Sequence, residues 1–176
     1  ELFCQEILRE DRSLLDFLDG RFTYVNKRLA DHYGMQGVQG DAFQRVEFTE
    51  ERRTGVLTQA SILTLTSNPA RTSPVKRGKW IMENFLGSAP PDPPPDVPEL
   101  EATQKAKPGL SLREQLEIHR ASAAFASCHK TMDQLGFGLE NFDAVGRWRE
   151  KDGKLAIDSS GELPNGDKFV GPLEMA

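Results

Sequence analysis

Apolar residues recur at close to helical spacing over residues 1–20. Leu2, Phe3, Ile7, Leu8, Leu14, Leu15, Phe17 and Leu18 predict a helix that Gly20 ends. Phe22–Val25 is short and β-prone, and Asn26–His32 reads as a second helix closed by Gly34. Residues 35–40 read as a loop, and Phe43–Phe48 alternates apolar and polar as a short strand does. Residues 53–65 and 76–86 predict two further helices, with Trp80, Ile81, Phe85 and Leu86 facing inward and Gly87 as the stop.

The pattern breaks at residues 89–98, where Pro90, Pro91, Pro93, Pro94, Pro95 and Pro98 crowd together. Proline lacks an amide donor and fixes φ, so this stretch reads as a polyproline strut rather than helix or central strand. Ser111 and Glu114 then form a capping box, which predicts a helix to about residue 121. Gly136 and Gly138 read as interruptions, and Leu139–Val145 is apolar enough to pack. Asp152-Gly153 and Asn165-Gly166 favour tight turns, so residues 148–170 predict one or two hairpins. The fold class expected is mainly α, with small β-hairpins and the strut.

The 176 residues carry 22 Lys and Arg against 27 Asp and Glu, a net charge of −5. That balance argues against nucleic acid as the main partner. No apolar run approaches the ~18 residues a membrane helix needs. Two cysteines exclude a disulfide-dense scaffold and a four-cysteine zinc site. The chain begins at Glu1 with no basic or apolar leader, and it is expected to be part of a longer protein.

One feature points to specific chemistry. Cys128-His129 stands three residues after Phe125. In Cys-x-x-Cys-His the two thiols add to haem vinyl groups and the adjacent His ligates the iron. Here Phe125 occupies the first cysteine's place, so at most one thioether can form. His129 and Asp133 are also spaced as two metal ligands, too few for a zinc site. Cys4 reads either as a lone buried thiol on an amphipathic helix or as a disulfide partner of Cys128, which would compete with haem attachment. Arg71, Lys76, Arg77 and Lys79 form a basic cluster read as a solvated helix face or a contact for haem propionates. Arg147, Trp148 and Arg149 carry the same two readings, with Trp148 able to pack over Phe142. Asp11, Asp16, Asp19 and Asp31 read as caps and solvated positions.

His119-Arg120, the run from Phe125 to Asp133 and the run from Leu135 to Arg149 resemble a planctomycetal cytochrome-like domain, the third PSCyt-type domain of large exported proteins. The blocks from Arg53 to Ala60 and from Thr72 to Trp80 resemble that domain's first half. Residues 1–34 resemble the end of a PSD-type domain, and residues 154–172 the start of another. The organisation implied is a PSD-type helical region at 1–50, a cytochrome-like domain at 51–150 containing the 89–98 strut, and a PSD-type start at 151–176. The resemblance implies a cytochrome c-like helical unit with haem c, singly attached through Cys128, with His129 as proximal iron ligand. Phe125 would pack at the porphyrin edge, and His119 or Met82 would supply the distal ligand. It also implies a periplasmic or otherwise exported setting, and a redox protein or neighbouring domains as partner. The function expected is electron transfer. The alternative is a structural or interaction module on a cytochrome-like scaffold that has lost haem.

Overall fold

The computed structural model describes the backbone of residues 1–91, 109–120 and 123–176, and their side chains apart from 119, 120 and 123–128. Most of the proline strut, residues 92–98, therefore lies outside the described residues. Helices account for 38% of the structure, with the remainder in turns and small two-stranded sheets. This is a mixture of helices and hairpins, coarser than the mainly α fold expected.

The N-terminal segment is two helices rather than one. Helix α1 (Leu2–Arg9) ends at Glu10, Asp11 takes φ 49°, and α2 (Asp16–Asp19) is a single turn. Leu14 and Leu15 are 70% and 64% exposed, so their spacing reports no buried face. Arg12 instead turns back between the two helices, pairing with Glu6 and, at 2.6 Å, with Asp16. Phe3 and Ile7 bury against Phe22 of strand β1 (Phe22–Val25). Helix α3 (Lys27–Tyr33) starts where the Asn26 side chain accepts from the Leu29 amide. It ends at Gly34, whose φ of 76° suits a left-handed cap. Strand β2 (Gln44–Glu47) pairs antiparallel with β1, Phe22 opposite Glu47.

The helix expected over residues 53–65 is present only as α4 (Ala60–Leu65). Ahead of it the chain turns at Gly55, φ 47°, and donates from Gly55 to the Gly20 carbonyl and from Val56 to the Phe17 carbonyl. A Cβ at Gly55 would fall 2.2 Å from the Leu18 carbonyl oxygen. The Thr58 hydroxyl donates to the Thr54 carbonyl and accepts from the Thr54 amide, a local turn in place of a helical start.

Helix α5 (Pro74–Asn84) begins two residues earlier than expected, with Ser73 as cap and Pro74 in the first turn. Helix α6 (Leu112–Arg120) carries the capping box: the Ser111 amide donates to Glu114 at 2.7 Å and the Glu114 amide to Ser111 Oγ at 3.2 Å. Helix α7 (Ala123–Phe137) runs through Gly136 instead of stopping there. The reason is its crossing with α5. A Cβ at Gly136 would meet the Pro74 carbonyl at 2.0 Å, and a Cβ at Gly78 would meet the Met132 carbonyl at 1.7 Å. At each of the two contacts a glycine of one helix admits the backbone of the other.

Two hairpins follow, β3 (Lys151–Asp152) with β4 (Leu155–Ala156), and β5 (Ser160–Glu162) with β6 (Lys168–Val170). Gly153 and Gly166 hold the positive φ their turns require. Helix α8 (Gly171–Met175) closes the chain. The main core joins Leu57, Leu63, Ile81, Leu135, Leu139, Phe142, Phe169 and Met175. It is the α5–α7 layer sealed by the last hairpin and α8. Among the described residues no helix is long and apolar enough to cross a membrane.

Candidate functional site

Helix α7 carries the Cys-His pair. His129 lies near its middle, with 13% of its side chain exposed. One turn on, Asp133 is fully buried. His129 Nδ1 sits 3.0 Å from Asp133 Oδ1, an i,i+4 contact along the helix. Met132, between them, is buried in the α5 crossing through its own backbone. The imidazole thus lies against a buried carboxylate on its own helix.

The side chains of Phe125, Cys128 and His119 lie outside the described residues, although their positions fall on α7 and α6. Met82, the other distal candidate, is half-buried and packs against the main core. Cys4 is a free, half-buried thiol beside the Phe3–Ile7–Phe22 cluster. Among the described residues no group of three or more His, Cys, Asp or Glu side chains could hold a metal ion.

The His129 contact can be compared with the setting of a metal-bound histidine. A histidine that binds metal through one ring nitrogen commonly bonds its other nitrogen to a carboxylate or carbonyl, which fixes tautomer and ring orientation. The Nδ1 contact to Asp133 is a bond of that kind.

The end of α7 is pinned by a buried ionic network that the sequence pattern did not reveal. Arg77, read as part of a solvated basic face, is 1% exposed. Its Nη1 donates to the carbonyls of Leu139 and Phe142, at 2.7 and 2.9 Å, and to Glu140 Oε1 at 3.2 Å. Its Nη2 donates to the Asp143 carbonyl and Ser67 Oγ. Glu140 Oε2 accepts from Thr72 at 2.8 Å and from Arg149 at 3.2 Å. Burial pushes the Arg77 guanidinium down to about 10, and Glu140 restrains that fall. Burial pushes the Glu140 carboxyl up, against the lowering pull of Arg77, Thr72 and Arg149. Charged side chains facing backbone acceptors leave no apolar period to read, and the partners are more than sixty residues apart.

Of the rest of the basic cluster, Lys79 pairs with Glu83 along α5 and Arg71 donates to the Thr72 carbonyl. Trp148 packs edge-on against Phe142, with centroids 5.3 Å apart. Arg147 Nε donates to His32 Nδ1 at 3.3 Å, and His32 Nε2 lies 2.7 Å from the Val145 carbonyl. Since arginine only donates and a carbonyl only accepts, these contacts fix His32 as the neutral Nε2–H tautomer. They tie α3 to the turn after Phe142, beside an open groove of about 1360 Å³ lined by Arg28, Tyr33, Arg52 and Trp148 among others. Arg53 is buried between the Tyr33 and Phe142 rings, donating to the Thr58 and Gly146 carbonyls. Burial pushes it down to about 10.

Comparison with known families agrees with this layout. PSD4, described as a protein of unknown function (DUF1592), matches residues 1–35. The His32 contact therefore joins that segment to the rest of the chain. Neither the curated proteins nor the solved structures give a match. PSCyt3, described as a protein of unknown function (DUF1588), matches residues 53–152, more than half of the chain and all of α4, α5 and α7. The chain belongs to the PSCyt3 family.

Proposed function

We propose that this chain is a c-type haem-binding electron-transfer module, with a cytochrome c-like helical unit centred on α7, inside a larger exported protein. The observation that carries the reading is the His129–Asp133 pair directly after Cys128: an imidazole held at Nδ1 by a fully buried carboxylate. His129 would ligate iron through Nε2, and Cys128 would make the single thioether. Phe125, where a second cysteine would stand, would contribute apolar contact only. His119 or Met82 would supply a distal ligand. When bound, haem supplies one-electron redox chemistry; the protein supplies ligation, orientation and burial. The electron partner would be a redox protein or a neighbouring domain of the same polypeptide.

The test is a pyridine haemochrome spectrum of protein co-expressed with cytochrome c maturation factors, recorded after acid-acetone extraction. Haem that stays with the protein and shows the band shift of one unreacted vinyl is the expected result. Haem that extracts would remove the thioether and keep His129 as a ligand. No haem at all would overturn the reading.

That last outcome would favour a structural or interaction module. Its supporting observation is that α5 and α7 lock through Gly78 and Gly136, backbone to backbone, a packing that needs no cofactor.

A further inference from the structure

Helix α3 and the turn after Phe142 face each other across the open groove of about 1360 Å³. Its walls come from both matched segments. Helix α3 lies within residues 1–35, α4 and the 145–148 turn lie within residues 53–152, and Asp41, Phe43 and Arg52 belong to the chain between them. Binding sites form preferentially where such units meet, and pockets that enclose small molecules hold ~300–1,000 Å³. An open trough larger than that suits a length of polymer better than a compact ligand.

The charges on its walls are unbalanced. Lys27, Arg28, Arg52 and Arg147 stand against Asp31 and Asp41, four cations to two carboxylates, in a chain whose net charge is −5. Lys27 pairs with Asp31 at 2.8 Å along α3, and Arg52 with Glu50 at 3.1 Å. Among the described residues no carboxylate pairs with Arg28 or Arg147, and Arg147 commits only its Nε, to His32. Two of the three guanidiniums are also held in place. Arg52 lies 5.4 Å from the centroid of the Trp148 ring. The Arg147 amide donates to Asp143 Oδ1 at 2.8 Å, and its Nε rests on the His32 ring that Val145 fixes from the other side. A guanidinium fork held this way loses less freedom when it takes a carboxylate through two parallel N–H bonds.

Between the cations the walls are apolar. Phe43 is 54% exposed and Val145 45%, and both line the groove. That mixture discriminates among anions. A nucleic acid carries a phosphate at every step, would bring that charge against Asp31 and Asp41, and has no use for Phe43 and Val145. A peptide can place carboxylates at the two arginines and apolar side chains between them.

We propose that this groove docks an extended acidic segment of a partner protein, its carboxylates pairing with Arg28 and Arg147 and its apolar side chains covering Phe43 and Val145. The docking is independent of haem and needs both matched segments in place.

The test titrates the chain with a panel of synthetic octapeptides in which glutamate alternates with leucine or phenylalanine, read by two-dimensional amide NMR. Saturable binding that shifts the signals of residues 27–34 and 145–148 is expected, and peptides with glutamine in place of glutamate should not bind. Arg28→Gln and Arg147→Gln should each weaken binding about three- to fivefold, as the loss of an exposed charge pair does, while Lys79→Gln on α5 should leave it unchanged. Both arginines are exposed, so the variants should fold, and circular dichroism confirms it. Inorganic phosphate and a deoxythymidine dodecamer are titrated alongside. Either one binding at these residues more tightly than every glutamate peptide would overturn the assignment of a peptide ligand. Peptide binding that ignores both arginine substitutions, shifts that fall elsewhere on the chain, or no binding by any glutamate peptide at about 1 mM, the weak end of specific association, would overturn the site.

Discussion

Gly78→Ala adds one methyl group at the point where α5 meets α7. That methyl would sit 1.7 Å from the Met132 carbonyl oxygen, with the carbonyl carbon at 2.6 Å and Cα at 3.1 Å. All three obstacles are backbone, so no side chain can swing away. The helices must separate until the first contact lengthens to at least 3.4 Å. Separation also thins the packing of Ile81 against Leu135 and Leu139, members of the same buried cluster. A gap of ~0.5–1 Å already forfeits a quarter to a half of each dispersion contact. Overpacking of this kind costs at or above the upper end of ~1–3 kcal/mol. Alanine regains about 1 kcal/mol of helix propensity. The net loss is about 2 kcal/mol or more, which for a chain of this size lowers Tm by roughly 4–8 °C. Urea unfolding followed by circular dichroism measures it, with Lys79→Ala on the partly exposed side of α5 as a reference expected within about 0.5 kcal/mol of wild type. A Gly78→Ala protein as stable as wild type, or more stable, would show that propensity alone operates there and that the backbones do not touch.

Three further outcomes are expected. Arg77→Leu leaves Glu140 and the carbonyls of Leu139, Phe142 and Asp143 without their buried donor, and should cost about 3–5 kcal/mol in a urea titration; a loss below 1 kcal/mol would refute the network. Burial pushes the Glu6 carboxyl up, but the Tyr24 hydroxyl and the Arg45 and Arg12 guanidiniums outweigh it and hold it below its ordinary 4.5. Its contribution is therefore present above about pH 4.5 and lost as pH falls through the lower folded value, so Glu6→Gln should flatten the acid limb of a Tm-against-pH curve. His32→Ala and Arg147→Ala should be coupled by about 0.5 kcal/mol or more in a double-mutant cycle, since each removes the same contact; strict additivity would mean the tautomer-fixing bond is not formed in solution.

What the sequence made legible is what is encoded within a few residues. Asn26 and Gly34 announce both ends of α3, Ser111 and Glu114 announce the start of α6, and Gly153 and Gly166 mark both hairpins, because each acts on its own turn of chain. What it concealed depends on distant partners. Gly55 turns the chain because the carbonyls of Phe17 and Leu18 lie against it, and no local pattern carries that information. Leu14 and Leu15 imitate a buried helical stripe yet face solvent. Gly136 reads as a helix breaker until Pro74 is placed beside it. Arg77 reads as surface charge because its acceptors come from the loop beyond α7. The candidate site divides the same way. The Cys-His motif and the His129–Asp133 spacing are visible as letters, whereas the burial of Asp133 and the α5–α7 crossing beside it depend on packing that no local pattern records.

That crossing bears on how the two functional readings relate. Met132 gives its carbonyl to Gly78, Asp133 follows it into the interior, and His129 lies one turn back along the same helix. A single rigid segment thus serves the core through its backbone and the candidate ligand through a side chain. Among the described residues, Gly78, Gly136 and the Arg77–Glu140 network hold these contacts. Any change that spreads α5 from α7 strains the helix that carries the His129–Asp133 pair. Gly78→Ala should accordingly broaden the His129 tautomer population in the same sample in which it lowers Tm, while Arg77→Leu, acting beyond the end of α7, should lower stability and leave that tautomer unchanged.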